Sequence, residues 1–309
     1  MPERAITFTS DNYTLEGTFI TPEANSSPLP VVLMLPGSGQ TDRDDNAPKL
    51  AINLFPQMAE AMRTWGFASL RYDKRGVGAS EGDYWSSDFT GRLHDAAAAL
   101  AWLASQPDID RKHIYVLGHS EGALVATHLA ANNESVAGAI LLAGSAKTGE
   151  ETLLWQGERI AGSLTGASKW IIDHFHIDPL KKQRQYIERI KHSTGDTIRM
   201  QLVQKVNAKW MRQFLAYDPK EDLAKVTVPV LAITGANDLQ VDSADLARMK
   251  QLVKGHFESH LIPKLTHLLR TDPTASLRTY KEQVRKPVDE RIIKYMQVWL
   301  KEQIHGNNQ

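Results

Sequence analysis

Short apolar runs and amphipathic stretches follow one another along most of the chain. The apolar runs are typical of strands that are buried on both faces of a parallel sheet; they occupy residues 31–36, 67–73, 113–118, 136–144, 228–235 and 256–263. The amphipathic stretches repeat their apolar positions at helical spacing; they occupy residues 56–66, 90–106, 122–132 and 287–304. Alternating strands and helices predict an α/β fold with a mostly parallel sheet and right-handed crossovers.

The start of the chain shows a different pattern from the rest. Near the start, residues 5–10 and 13–22 alternate apolar and polar positions on either side of Asp11-Asn12. That arrangement predicts two strands joined by a turn.

A long interval between two predicted strands does not fit a single crossover. It contains several amphipathic stretches in succession, at residues 151–164, 167–176, 178–192 and 197–216. We interpret it as a helical insertion that caps the sheet. The expected domains are therefore the first part of the core at 1–145, a helical cap at 146–222 and the second part of the core at 223–309.

Composition excludes several classes of function. The 309 residues carry a formal net charge of +0, so no overall charge attracts nucleic acid or an anionic membrane. The absence of cysteine rules out disulfides, thiolate metal sites and a cysteine nucleophile. Neither a signal-peptide pattern nor an apolar run long enough to span a bilayer is present. A cytoplasmic protein without nucleic-acid partners is the expectation.

One short motif predicts the chemistry. Gly118-His119-Ser120-Glu121-Gly122 has the pattern G-x-S-x-G between a predicted strand and a predicted helix. In that context the serine lies on a sharp turn with its hydroxyl above the sheet, and the glycines leave room for the close backbone approach. The alternative is a serine that only caps the helix. The context favours Ser120 as a nucleophile.

A serine nucleophile needs a histidine base and an acid that orients it. In this architecture the acid and then the histidine follow the serine, each after a later strand. Asp238 follows the strand at 228–235, and Asp242 is its rival four positions later; Asp238 is favoured because it lies nearer the strand end. His267 follows the strand at 256–263, and no other histidine combines that order with that placement.

These residues, together with the sequence RYDKRGVGAS at 71–80, resemble the α/β-hydrolase superfamily over essentially the whole chain. The most similar members are serine esterases and acyl hydrolases with a helical cap. The resemblance implies an eight-stranded sheet whose second strand is antiparallel.

It also implies that the loop after the third strand supplies half of an oxyanion hole. By position the backbone N–H donors are those of Ser38 and Glu121, and Gly37, Gly39 and Gln40 are expected to contact substrate. The chain has Pro-Gly where that loop usually begins with His-Gly.

The same glycine-rich loop does not predict a nucleotide or metal site. No lysine follows it as in a P-loop, and Asp42 stands where a dinucleotide fingerprint needs its third glycine. Asp42, Asp44 and Asp45 resemble a metal cluster, but Arg43 among them disfavours a cation. We expect no cofactor and no metal, and a structural role in which Arg43 or Arg75 pairs with nearby carboxylates.

The expected activity is hydrolysis of small or medium carboxylic esters through an acyl-enzyme. Aromatic and sulfur side chains of the cap pack onto the core or line an acyl pocket; they are Trp155, Trp170, Phe175, Trp210, Met211 and Phe214. A thioesterase, a serine aminopeptidase and a non-enzymatic receptor remain alternatives. An aminopeptidase needs acidic cap residues, for which Glu150, Glu151 and Glu158 are candidates.

Overall fold

The computed structural model describes residues 3–23, 28–163, 178–200 and 204–306, together with positions 166, 170 and 174. Within these residues, one large sheet contains β1 (Glu3–Ser10), β2 (Tyr13–Ile20), β3 (Leu29–Leu35), β4 (Ala68–Tyr72), β5 (Ile109–His119), β6 (Gly138–Leu142), β9 (Val230–Gly235) and β10 (Phe257–Ile262). Their spatial order is β1-β2-β4-β3-β5-β6-β9-β10.

The strand directions confirm the predicted fold class. β2 is antiparallel to both β1 and β4, and every other neighbouring pair in the large sheet is parallel. The eight-stranded sheet with an antiparallel second strand, which the resemblance implies, is therefore present. Its parallel strands end at one edge, where open α/β sheets bind their ligands.

Helices cover both faces of the sheet. They are α1 (Leu54–Thr64), α2 (Phe89–Ser105), α3 (Glu121–Asn132), α4 (Gly149–Ser163), α5 (Pro179–Lys191), α6 (Ala208–Ala216), α7 (Pro219–Leu223), α8 (Asp245–Leu252), α9 (Tyr280–Gln283) and α10 (Glu290–Gly306). Among them, none has the length and hydropathy that a transmembrane span requires.

The central strand β3 shows why its sequence is apolar throughout. Val31 and Leu33 belong to the core on the face covered by α2 and α3, whereas Val32 and Met34 belong to the core covered by α1 and α10. Successive side chains of a strand point to opposite faces, so a strand between two helical layers buries all of them.

The interval at 146–222 contains α4 to α7 and a feature that the sequence reading missed. Two short antiparallel strands, β7 (Thr197–Met200) and β8 (Gln204–Asn207), lie where we predicted a helix. In this pair of strands, Ile198 lies opposite Val206. Each strand has so few residues that its apolar positions are compatible with helical spacing as well as with strand alternation. The Asn207 side chain then accepts a hydrogen bond from Trp210 N at 2.9 Å, which begins α6. The domain boundaries stay a prediction.

Candidate active site

Ser120 lies on the sharp turn between β5 and α3. Its backbone has φ 56° and ψ −116°, a conformation that costs a residue with a side chain free energy. Gly118 and Gly122 make the turn possible. A Cβ atom on Gly118 would lie 1.9 Å from the Gly122 carbonyl oxygen, and one on Gly122 would lie 1.9 Å from the carbonyl oxygen of Leu35. Only glycine fits at either position.

The three side chains predicted as a triad meet at the carboxyl edge of the sheet. His267 Nε2 is 3.0 Å from Ser120 Oγ, and His267 Nδ1 is 2.9 Å from Asp238 Oδ2. Asp238 and His267 are both buried. A carboxylate at Nδ1 keeps the hydrogen there and leaves Nε2 able to accept the serine proton.

Backbone donors fix the orientation of Asp238. Its Oδ1 accepts hydrogen bonds from Gln240 N at 2.7 Å and Val241 N at 3.0 Å, so Oδ2 faces the histidine. The rival carboxylate, Asp242, is used elsewhere: it forms ion pairs with Lys147 and Arg248. The structure therefore brings Asp238, and not Asp242, to His267.

The loop after β3 is held from below by a buried lysine. Lys74 Nζ donates to Gly37 O at 2.6 Å and Gly39 O at 2.8 Å, and it also contacts Thr41 Oγ1. Burial lowers the pKa of Lys74 to about 7. A protonated amine has three hydrogens, and these three oxygens accept all of them.

This contact sets the direction of the Ser38 N–H. In a trans peptide the carbonyl and the next N–H point to opposite sides. Because Lys74 and Thr41 hold Gly37 O toward the interior, the Ser38 N–H points outward. Ser38 and Glu121 line the same pocket as Ser120, and no hydrogen-bond acceptor for either backbone N–H is found in the described part of the chain.

The acidic residues of this loop bind protein groups. Asp42 accepts the Asn46 N–H at 2.9 Å, and Asp44 forms an ion pair with Arg71 at 2.6 Å. Arg43 pairs with Asp73 at 2.6 Å, which ties the loop to β4. Arg75 is not part of this arrangement, since it pairs with Asp11 and Asp95.

Asp45 and His119 form a buried pair beneath the loop. Asp45 Oδ1 accepts the Gly37 N–H at 2.7 Å, and Asp45 Oδ2 lies 2.6 Å from His119 Nδ1. His119 Nε2 lies 2.9 Å from the carbonyl oxygen of His267. Burial alone lowers the pKa of His119, but the charge and hydrogen bond of Asp45 raise it above its ordinary value. The acidic cluster that contains Asp45 was expected to brace the loop, but nothing in the sequence assigned a role to His119 or indicated that the two residues meet.

A pocket of about 240 Å³ opens beside Ser120. Its walls come from the core and from helices α4 and α6; the residues are Ser38, Gly39, Ser120, Glu121, Leu124, Ala143, Ser145, Thr152, Leu153, Gln156, Trp210, Met211, Phe214, Gln240 and Val241. Of the residues expected to contact substrate, Gly39 lines this pocket. Gly37 and Gln40 do not, so their assignment stays a prediction.

The aromatic side chains of the interval have different surroundings. Trp210 and Phe214 stack with ring centroids 4.9 Å apart and form one wall of the pocket. Trp155 lies beside Lys147 and Arg159 rather than in the pocket lining. Trp170 is 61% exposed, and Phe175 lies outside the described residues.

The acidic residues considered for amine binding do not line the pocket. Glu150 pairs with Lys191 at 2.6 Å. Glu151 accepts the Thr148 N–H at 2.9 Å, and Glu158 lines a separate surface depression. The one carboxylate among the described lining residues is that of Glu121, which is buried in an ion pair with Arg92.

Comparison with known proteins establishes the family. The model of the family described as serine aminopeptidase, S33, matches residues 51–274, well over half of the chain. This chain belongs to that family. The match includes the serine, the aspartate and the histidine of the site, and it confirms that the chain is an α/β-hydrolase.

Two curated relatives extend the comparison. Esterase EstD of Thermotoga maritima is 26% identical over 284 residues, which cover 91% of this chain and 64% of EstD. The polyketide transferase GrgF of a Penicillium species is 33% identical over 149 residues, which cover 46% of this chain and 45% of GrgF. The chain thus spans less than two thirds of the length of either relative.

Solved structures share the fold. Est1E from Butyrivibrio proteoclasticus superposes with a TM-score of 0.64 at 18% identity, covering 97% of this chain and 99% of Est1E. The α/β hydrolase GrgF superposes with a TM-score of 0.65 at 18% identity, covering 98% and 99% of the two chains. At this identity the likeness concerns the fold alone.

Proposed function

We propose that the chain is a serine hydrolase that cleaves carboxylic esters through an acyl-enzyme. The observation that carries the proposal is the continuous contact from Ser120 Oγ through His267 to Asp238 beside an open pocket. That relay supplies a nucleophile, a general base and an orienting carboxylate at hydrogen-bonding distances.

In the first step, Ser120 Oγ attacks the ester carbonyl carbon while its proton passes to His267 Nε2. Asp238 keeps the other ring hydrogen at Nδ1 and stabilises the imidazolium that forms. The carbonyl oxygen becomes negative and receives hydrogen bonds from the N–H groups of Ser38 and Glu121. Donors of this kind that are fixed in advance typically lower the barrier by about 3 kcal/mol each.

In the second step, the C–O bond breaks and the alcohol leaves with the proton from His267. Water then attacks the acyl group on Ser120, giving its proton to His267 Nε2. The second tetrahedral intermediate collapses: the bond from the acyl carbon to Ser120 Oγ breaks, Oγ takes back the proton from His267 Nε2, and the carboxylic acid is released.

The pocket supports a small or medium acyl group. The stacked pair of Trp210 and Phe214 gives it an apolar wall, and its volume of about 240 Å³ limits the size of the group. The name of EstD as an esterase supports the same reaction class.

A serine aminopeptidase is the second candidate because the family carries that description. An amine substrate needs a carboxylate partner in the pocket. Among the described lining residues, the carboxylate of Glu121 is already paired with Arg92. This pairing favours ester over aminoacyl amide. An acyl thioester would use the same groups as an ester, and substrate tests distinguish the two.

The proposal is tested by labelling with a fluorophosphonate and by a panel of p-nitrophenyl esters, acyl thioesters and aminoacyl amides. We expect labelling and ester hydrolysis in the natural protein, and a loss of activity on the order of 10⁶-fold in Ser120→Ala. Ser145→Ala is the matched control, because Ser145 lines the same pocket but bonds to Asp245.

Each outcome has a separate meaning. Equal ester turnover in Ser120→Ala and the natural protein would refute the nucleophile. Labelling together with selective cleavage of aminoacyl amides would replace the esterase proposal with the aminopeptidase one. Absence of labelling and of turnover would favour a binding protein.

A further inference from the structure

A buried carboxylate–imidazole pair, Asp45 with His119, lies directly behind the proposed catalytic side chains. Asp45 is 1% exposed and His119 is 3% exposed, and neither lines the pocket beside Ser120. The ring of His119 lies 5.0 Å from that of His267, centroid to centroid. A substrate in the pocket does not touch the pair, so any effect on the reaction passes through neighbouring groups.

The pair connects two loops that the proposed reaction needs at a fixed separation. At one end, Asp45 accepts the N–H of Gly37, the residue before Ser38, at 2.7 Å. At the other end, His119 meets the carbonyl oxygen of His267 at 2.9 Å. The oxyanion loop and the backbone of the histidine are thus joined through one carboxylate and one ring.

The oxygen atoms that face the two ring nitrogens of His119 show where the hydrogens of the pair lie. A carbonyl oxygen only accepts, so His119 Nε2 carries a hydrogen. A second hydrogen lies between His119 Nδ1 and Asp45 Oδ2, which are 2.6 Å apart. The pair therefore holds two hydrogens and is neutral as a whole. A neutral hydrogen-bonded pair avoids the cost of an isolated buried charge.

We infer that Asp45 and His119 are positioning residues that hold the Ser38 N–H and the His267 ring in register for catalysis. This inference rests on the proposed function. Its physical basis is that reacting groups must be placed closely, since a displacement of about 1 Å can cost about 100-fold in rate.

Asp45→Asn removes the carboxylate but keeps groups that can make the same hydrogen bonds. The amide oxygen of asparagine can accept the Gly37 N–H, and its NH₂ group can donate to Nδ1 of a neutral His119 that keeps its hydrogen on Nε2. All three contacts survive in this variant. Asp45→Ala removes two of them, and His119→Phe removes both ring contacts while keeping an aromatic ring in place.

We expect Asp45→Ala and His119→Phe to lower kcat for a p-nitrophenyl ester by about tenfold or more, and to change KM by less than about threefold. Asp45→Asn should keep kcat within about threefold of the natural protein because its hydrogen bonds persist. Wild-type kcat in both of the disruptive variants would overturn the inference. So would a loss in Asp45→Asn as large as that in Asp45→Ala.

Nitrogen-15 NMR of labelled histidine tests the inference even if Asp45→Ala and His119→Phe fail to fold, because it uses only the natural protein and Asp45→Asn. Both ring nitrogens of His119 should be protonated or hydrogen-sharing in the natural protein, and Nδ1 alone should lose its hydrogen in Asp45→Asn. An unprotonated Nε2 in the natural protein would contradict the inference. Ser120→Ala in the same series isolates the proposed function: if it retains activity, that function fails, whatever the pair does.

Discussion

At the scale of single residues, Ser120 depends on two glycines that perform no chemistry. The serine holds a backbone conformation with φ 56°. Gly118 and Gly122 let three backbone segments, those of β3, β5 and α3, come together around it. The hydroxyl that we propose as the nucleophile is therefore held on a strained backbone, and the close packing of these segments maintains that strain.

Gly122→Ala should be among the most damaging single-methyl additions in the chain. Its Cβ would lie 1.9 Å from the carbonyl oxygen of Leu35, and a backbone atom cannot rotate away as a side chain can. We expect a loss of about 3 kcal/mol in the free energy of unfolding, with reduced ester turnover. Denaturant unfolding followed by circular dichroism measures the first effect.

Gly162→Ala is the matched control on an exposed part of α4. A Cβ at Gly162 has nothing within 4 Å, and alanine is the better helix former. It should be neutral or slightly stabilising. Equal stability of the two alanine variants would show that the close approach around Gly122 does not constrain the turn.

At the scale of elements, the loop between β3 and α1 is held in place by one of its own side chains together with side chains from two other parts of the chain. Lys74 follows β4, Asp45 lies within the loop itself, and His119 ends β5. Together they bind both the N–H and the carbonyl of Gly37. The Ser38 N–H therefore points outward without a contribution from its own side chain.

Lys74→Met should reduce activity more than stability. Methionine fills a similar space but donates no hydrogen to Gly37 O, Gly39 O or Thr41 Oγ1. Since burial lowers the pKa of Lys74 to about 7, removing the amine also relieves a desolvation cost. We expect kcat/KM for esters to fall by about tenfold or more.

Steady-state kinetics and the melting temperature of the same samples test this expectation. Lys112→Met, on an exposed residue near the start of β5, is the control and should leave both unchanged. If the melting temperature of Lys74→Met fell as markedly as its kcat/KM, the lysine would stabilise the whole fold and would not be a specific support of the loop.

At the scale of the whole molecule, the site is assembled from four separated parts of the chain. Ser38, Ser120, Asp238 and His267 follow β3, β5, β9 and β10 in turn. The carboxyl ends of these parallel strands lie at one edge of the sheet. Helices α4 and α6 then close the pocket from above.

Acid stability should depend on Asp289, an ion-paired carboxylate at the start of the last helix. Asp289 precedes α10, pairs with Arg291 at 2.8 Å and accepts a hydrogen bond from Thr271, in the loop that carries His267. The hydrogen bonds from Arg291, and then that from Thr271, lower the pKa of Asp289 to about 2. A depressed carboxylate pKa stabilises the fold above the unfolded value of about 4. This stability is lost as the pH falls from about 4 toward 2.

Asp289→Asn should therefore be less stable at pH 7 by roughly 1 kcal/mol, a discounted value because Arg291 is partly exposed. The difference from the natural protein should shrink toward zero near pH 2, where Asp289 is itself protonated. Thermal unfolding at several pH values measures it, with the exposed Glu302→Gln as control. A difference that stays constant down to low pH would contradict the assigned pKa shift.

Much of the fold was predictable because its signals are local. Apolar runs identified the buried strands, and the G-x-S-x-G motif identified the turn at Ser120. The paired strands β7 and β8 were missed because each is too short for periodicity to separate it from a helix. Helix α8 was not anticipated either, since its eight residues make only about two turns over which a helical period can be recognised.

By itself, the sequence predicted the strands of the large sheet, most of the helices that cover it and the chain positions of Ser120 and His267, and it favoured Asp238 as the acid. Tertiary structure shows why Asp238 rather than Asp242 meets the histidine: backbone donors and neighbouring cations orient the two carboxylates differently. It also decided the contacts of His119 with Asp45, 74 positions away, and with His267, 148 positions away. Such contacts depend on how distant segments pack, and no periodicity within a segment encodes them.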